Sequence, residues 1–114
     1  MSINYPTEIF SNTLGRKFLL NILRFDNGYF ISISENESKL GSISVSLAVT
    51  NKSNTARVIQ DKNDQLFIDT LSTRISLMKN GICIISMFTK NKLHLDDMKI
   101  INEKILSADR KSVV

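Results

Sequence analysis

The sequence has no tryptophan and only one cysteine, one proline and one histidine among 114 residues. Each scarcity removes a class of function. A lone cysteine permits no disulfide within the chain, and together with one histidine it supplies too few soft ligands for a transition-metal shell. Cys83 lies in the apolar run "GICIISMF", where a free thiol acts as a small buried hydrophobe. The four glycines are dispersed, so no loop can cradle a phosphate. No run approaches the 18 to 20 apolar residues a membrane helix needs. The start, "MSINYPTEIF", lacks the basic and apolar stretches of a secretory leader, so an intracellular protein is expected. The expected compartment is the cytoplasm, with the nucleus as a second.

Catalysis has little to draw on. Any Ser-His-Asp arrangement would run through His94, with Asp96 or Asp97 beside it. Those two carboxylates open a predicted helix, where acidic side chains meet the positive end of the helix dipole. Being adjacent, they do not face one another as a catalytic pair would. No Gly-x-Ser-x-Gly elbow precedes a helix, and strand serines without a base are poor nucleophiles. The residues therefore point to a binding or assembly protein, not an enzyme, with no cofactor and no metal.

What the chain has is an ordinary globular balance, 42% hydrophobic and 23% charged, with a formal net charge of +4. The length suits a single domain, 1–114, with loose ends expected at 1–7 and 108–114. The positive residues are scattered, whereas phosphate binding wants a coherent stripe. Arg16, Lys17, Lys90 and Lys92 are the residues a weak nucleic-acid binder would use, but neither nucleic acid nor membrane is the expected partner.

"GRKFLLNILRF" and "YFISISE" flank Asp26-Asn27-Gly28, and Asn-Gly predicts a tight hairpin with positive φ. In "SISVSLAV", Ser42, Ser44, Ser46 and Ala48 alternate with Ile43, Val45, Leu47 and Val49. The hydrophobic rule assigns the aliphatic set to the core and the serines to a hydrated or partner-covered outer face. "TNKSNT" reads as a polar loop, and "ARVIQD" as a returning strand. Helix signals follow: Asn63 or Asp64 as N-cap, and Phe67, Leu71, Ile75 and Met78 as the buried stripe. Asn80-Gly81 would close that helix. "ICIISMF" is apolar on both faces and should be a central strand. A last helix carries Met98, Ile101 and Ile105, with Leu106 nearby.

The order β-β-β-β-β-α-β-α predicts an α+β domain: an antiparallel meander of about six strands packed with two helices. Several strands, those in "GRKFLLNILRF" and "ICIISMF" above all, are apolar on both faces. Two helices on one side would leave the other side bare, and such a patch predicts association.

The lead Lys39-Leu40-Gly41 into a Ser/Val-Ser-Leu strand, the approach Asp61 to Asp64 into the first helix, and the junction Thr89 to Met98 resemble the proteasome assembly chaperone 3 family. The resemblance runs from about Ile9 to Leu106. It implies a six-stranded antiparallel sheet with helices, and a dimer that helps α subunits of the 20S proteasome form their seven-membered ring. The dimer could be formed with itself or with a related assembly chaperone. It also implies that a flexible loop after the serine strand contacts an α subunit. Here that loop would be Thr50, Asn51, Lys52, Ser53, Asn54 and Thr55, with Lys39, Arg57 and Lys62 as charges that steer encounter. The chain ends Lys111-Ser112-Val113-Val114, without the tyrosine of chaperones that dock by a hydrophobic-Tyr-X tail. The rival reading is a roadblock- or profilin-like adaptor that binds a GTPase or trafficking partner.

Overall fold

A computed structural model describes residues 8–11, 15–59 and 64–112. The elements are β1 (Glu8–Ser11), β2 (Lys17–Phe25), β3 (Gly28–Glu35), β4 (Ser42–Val49), β5 (Lys52–Ile59), α1 (Gln65–Lys79), β6 (Ile82–Phe88) and α2 (Leu95–Ser112). They form one six-stranded sheet in the order β1-β2-β3-β6-β4-β5, with both helices on one face. The expected arm at 1–7 lies outside the described residues, and α2 continues through 108–112, where a loose tail was expected.

The element order is the one the sequence predicts, but the sheet is not a plain meander. Strand β6 inserts between β3 and β4, antiparallel to β4 and parallel to β3. Parallel neighbours need a crossover connection; from β3 to β6 it runs through β4, β5 and α1, and α1 carries the chain from the edge strand back to the centre. The two-faced apolarity of β6 thus takes the central position it called for.

Two local expectations change. The β2–β3 turn is Asp26-Asn27, and neither Asn27 nor Gly28 has positive φ. Gly28 is required for space: a β-carbon there would collide with the Ile82 carbonyl on the neighbouring strand. Gly28→Ala is therefore expected to destabilise the fold by about 1–3 kcal/mol, read as a lower urea midpoint at unchanged slope. At the start of α1, Asp64 occupies the N-cap position in the left-handed region and makes no side-chain cap. Its carboxylate instead accepts from the Leu93 amide at 2.9 Å, tying α1 to the β6–α2 connection. Asn80 ends α1 as expected: it is left-handed, and the Gly81 amide donates to the Ser76 carbonyl.

The core lies between the sheet and the two helices. It contains Phe10, Phe18, Leu20, Ile22, Ile31, Ile33, Cys83, Ile85 and Met87 from strands, and Ile68, Leu71, Ile75, Ile101 and Ile105 from helices. Burial pushes the Cys83 thiol up to about 12, so at neutral pH it is a protonated, inert filler. The buried stripe of α1 is rotated from the expected one, with Ile68, Ser72 and Ser76 buried and Met78 exposed.

That rotation explains the largest departure. The serines of β4 face inward and its aliphatic residues face outward, the reverse of the expected assignment. Ser42, Ser44 and Ser46 are buried, while Leu47 and Val49 are exposed. The inward serines meet a polar side of α1. Ser46 Oγ lies 2.8 Å from Ser72 Oγ and 2.6 Å from Thr55 Oγ1, Ser53 Oγ lies 2.7 Å from Ser76 Oγ, and Ser44 donates to Asp69. Small hydroxyl side chains allow close helix–sheet approach, and their mutual bonds avoid the penalty of burying unpaired polar groups. Burial works against ionisation of Asp69, but bonds from Ser44, Gln65 and Arg57 outweigh it and hold the carboxyl below its usual range.

A bare aliphatic sheet face as the candidate partner-binding site

With both helices on one side, strand alternation sends the other half of each strand outward. The strand registers bring these residues together. Leu23 and Phe25 on β2 run beside Phe30 on β3, and Ile82 and Ile84 on β6 follow. Val45, Leu47 and Val49 on β4 continue the face, and Ala56 and Val58 on β5 complete it. Among the described residues no helix lies over this surface. Phe25 is 61% exposed, Val49 62% and Val58 61%, and the central residues Phe30, Val45 and Ile84 are half-buried only by one another's neighbours in the sheet. The polar members include the small residues Asn21, Ser32 and Asn54, with Lys52 at the turn end of β5.

Five strands, β2 to β6, about 4.8 Å apart and about eight residues long give a face of roughly 600 Å². That approaches the roughly 800 Å² each partner contributes to a standard stable interface. A largely apolar exposed face of this size is of the kind that serves association between chains.

The chain bends over one corner of this face. Between β3 and β4 the connection passes the end of β6, where the Gly41 amide donates to Ser86 Oγ at 3.1 Å. Lys39 Nζ sits 5.3 Å above the Phe88 ring and 3.0 Å from Glu37. Lys39 and Leu40 close one side of a cleft of about 520 Å³ against Leu23, Phe25 and Phe30.

The predicted partner residues are placed as follows. Thr50 and Asn51, both with positive φ, form a two-residue turn, and Lys52, Ser53, Asn54 and Thr55 belong to β5. The six-residue flexible loop is thus a tight hairpin. Ser53 and Thr55 point toward α1, while Lys52 and Asn54 lie on the outer face. Lys39 is exposed at the edge of the bare face. Arg57 is engaged within the chain, its Nε donating to Asp69 at 2.6 Å. Lys62 lies outside the described residues.

Of the residues named for nucleic acid, Arg16 is committed to bonds within the chain. Arg16 is a structural tie: its guanidinium forks onto Glu35 at 2.8 and 3.1 Å, reaches Asp97 at 3.1 Å, and donates to the Lys92 and Asn91 carbonyls. The Glu35 bond raises the Arg16 pKa further, and Arg16 in turn holds Glu35 below the usual carboxylate range. Asp97, the carboxylate beside His94, also accepts the His94 amide and so closes the first turn of α2. Sequence reasoning missed this knot; its only signal was an acidic residue, Glu35, ending a strand of alternating apolar residues. Among the described residues there is no cluster of metal-ligating side chains, and no helix is long and apolar enough to cross a membrane.

No family model matches the chain, and no curated protein matches it significantly in sequence. Its fold is shared with a chain of a solved structure described as "Crystal Structure of a Novel Chaperone Complex for Yeast 20S Proteasome Assembly". The two superpose with a TM-score of 0.65 over 94% of this chain and 98% of that one, at 13% identity.

Proposed function

We propose that the protein is a non-enzymatic chaperone of 20S proteasome assembly, acting as a dimer that binds α subunits. The observation that carries this reading is the bare aliphatic face on a fold shared end to end with a chain of a yeast proteasome-assembly chaperone complex. The dimer partner, a second copy or a related chaperone, covers the outer faces of β2, β3, β6 and β4. Contact with an α subunit falls to the β4–β5 turn at Thr50-Asn51 and the adjoining residues Lys52 and Asn54, with Lys39 steering encounter. A tight turn presents these side chains with little ordering entropy left to lose on binding.

The test is recovery of α subunits on the tagged full chain, compared with a variant in which Thr50-Asn51 is replaced by Asn-Gly. That pair keeps the positive φ values of the turn, deletes the side chain at 51 and exchanges the one at 50. Wild type is expected to recover α subunits and the variant to recover about ten-fold less, at unchanged oligomeric state. Recovery of a GTPase in place of α subunits would favour the adaptor reading.

A further inference from the structure

The helix layer carries a second surface, on the side of the molecule away from the bare sheet face. Helices α1 and α2 run side by side across the sheet and leave between them a groove of about 560 Å³. Leu71, buried, and Met98, half-buried, form its floor, with Phe67 half-buried beside them. Leu95, at the entrance, is 78% exposed. Two cations stand on opposite rims, Arg74 from α1 and Lys99 from α2, and among the described residues neither has an ion-pair partner. A single carboxylate, Asp96, shares the rim.

We propose that this groove docks an acidic segment of a protein partner, anchored by a large apolar side chain. The volume is that of a site able to take such a side chain, and the apolar floor rewards its burial. Carboxylates flanking the anchor would meet Arg74 and Lys99, each at a rim where desolvation is partial and the attraction chiefly sets orientation and encounter rate. A second copy of this chain suits the groove poorly, because it brings a net charge of +4 to a rim that is already cationic. Nucleic acid suits it poorly as well, since two cations flanking an apolar floor do not track a phosphate backbone. The groove and the bare face lie on opposite layers, so a dimer formed through the sheet leaves the groove open. This inference goes beyond the proposed chaperone role and does not depend on it.

The test titrates the full ¹⁵N-labelled chain with a short synthetic peptide that places one Leu-Phe pair among glutamates. A control peptide replaces every glutamate by lysine. Amide shifts are expected along residues 66–78 and 94–102, with the lysine peptide weaker by about ten-fold or more and binding weakened by added salt. R74E/K99E should lose the acidic peptide by a similar factor, and D96N should tighten it. Circular dichroism confirms the fold of each variant, and L95A, at an exposed position, tests the apolar contact if the double variant is misfolded. Equal binding of both peptides, shifts confined to the sheet face, indifference to R74E/K99E, or no shift at about 1 mM peptide would each overturn the proposal. Oligomeric state and α-subunit recovery should be unchanged in R74E/K99E, which separates this result from any failure of the chaperone reading.

Discussion

Replacing Val45 and Leu47 together by glutamate is expected to reduce the protein to a stable monomer. Both side chains stand on the outer face of β4, opposite the helices, and Leu47 is already 45% exposed. In the isolated chain the new carboxylates would point into water, so the unfolding midpoint should move little. In a face-to-face association they would be carried into an apolar layer, where an unpaired charge is costly. Two lost aliphatic contacts and two stranded charges should weaken association by about a hundred-fold or more, roughly 3 kcal/mol. The complementary change, Ser44→Val and Ser46→Val on the inner face, should behave oppositely. It would remove one hydrogen bond each from Ser72, Thr55 and Asp69 under α1 and lower stability while leaving association intact.

Arg16→Ala should be the most damaging single substitution for the fold itself. The guanidinium is the bonded counter-charge for Glu35 and Asp97, whose side chains are 6% and 0% exposed. Removing one member of a buried pair leaves the other charge uncompensated, an effect of about 3–5 kcal/mol. Arg16→Lys should recover only part of this, because an ammonium cannot fork onto Glu35 while also reaching the Asn91 and Lys92 carbonyls. The pH dependence carries a further signature. Glu35 is depressed in the folded state, chiefly by its bond from Arg16, so its contribution is present above the ordinary carboxylate range and is lost as pH falls through that range toward its folded value. Wild type should therefore lose stability on acidification, while Arg16→Ala, already without the pair, loses less. The gap between the two denaturation midpoints should narrow from pH 7 toward pH 4, and a gap constant across that interval would show that Arg16 acts through packing alone.

Alternation along a strand is written in the sequence, and so are the segments that alternate. Which side of the alternation faces inward is not. In β4 the usual preference for burying aliphatic residues points outward instead, because the neighbouring helix offers hydroxyls. That helix signal was present: Asp69, Ser72, Thr73 and Ser76 recur at helical spacing and form a polar stripe to match Ser44, Ser46, Ser53 and Thr55. Reading α1 by its apolar residues alone misplaced the stripe by one position and the β4 face with it. The central place of β6 was legible because both its faces are apolar. Its parallel pairing with β3 was not, since consecutive strands favour a meander and only tertiary packing decides where a late strand inserts.

The candidate site divides in the same way. That two-faced strands would leave a surface in need of cover followed from composition along β2 and β6, and the structure has such a surface. The Thr50–Thr55 segment read as a loop because it is polar and lacks the strand-forming aliphatics. Its edge position beside β4 lets polar residues pair, and Thr50-Asn51 makes the turn without a glycine. Arg57 looked like a free cation because Asp69, its partner, lies 12 residues away on a different element.

Sedimentation equilibrium of the purified wild-type chain tests most directly whether the sheet face is an interface. A particle of two chains, each of 12.9 kDa, that reverts to one chain in the Val45→Glu/Leu47→Glu variant is the predicted result. A wild-type chain that stays at the single-chain mass at all micromolar concentrations, and that gains no mass with any related chaperone or α subunit added, would contradict it.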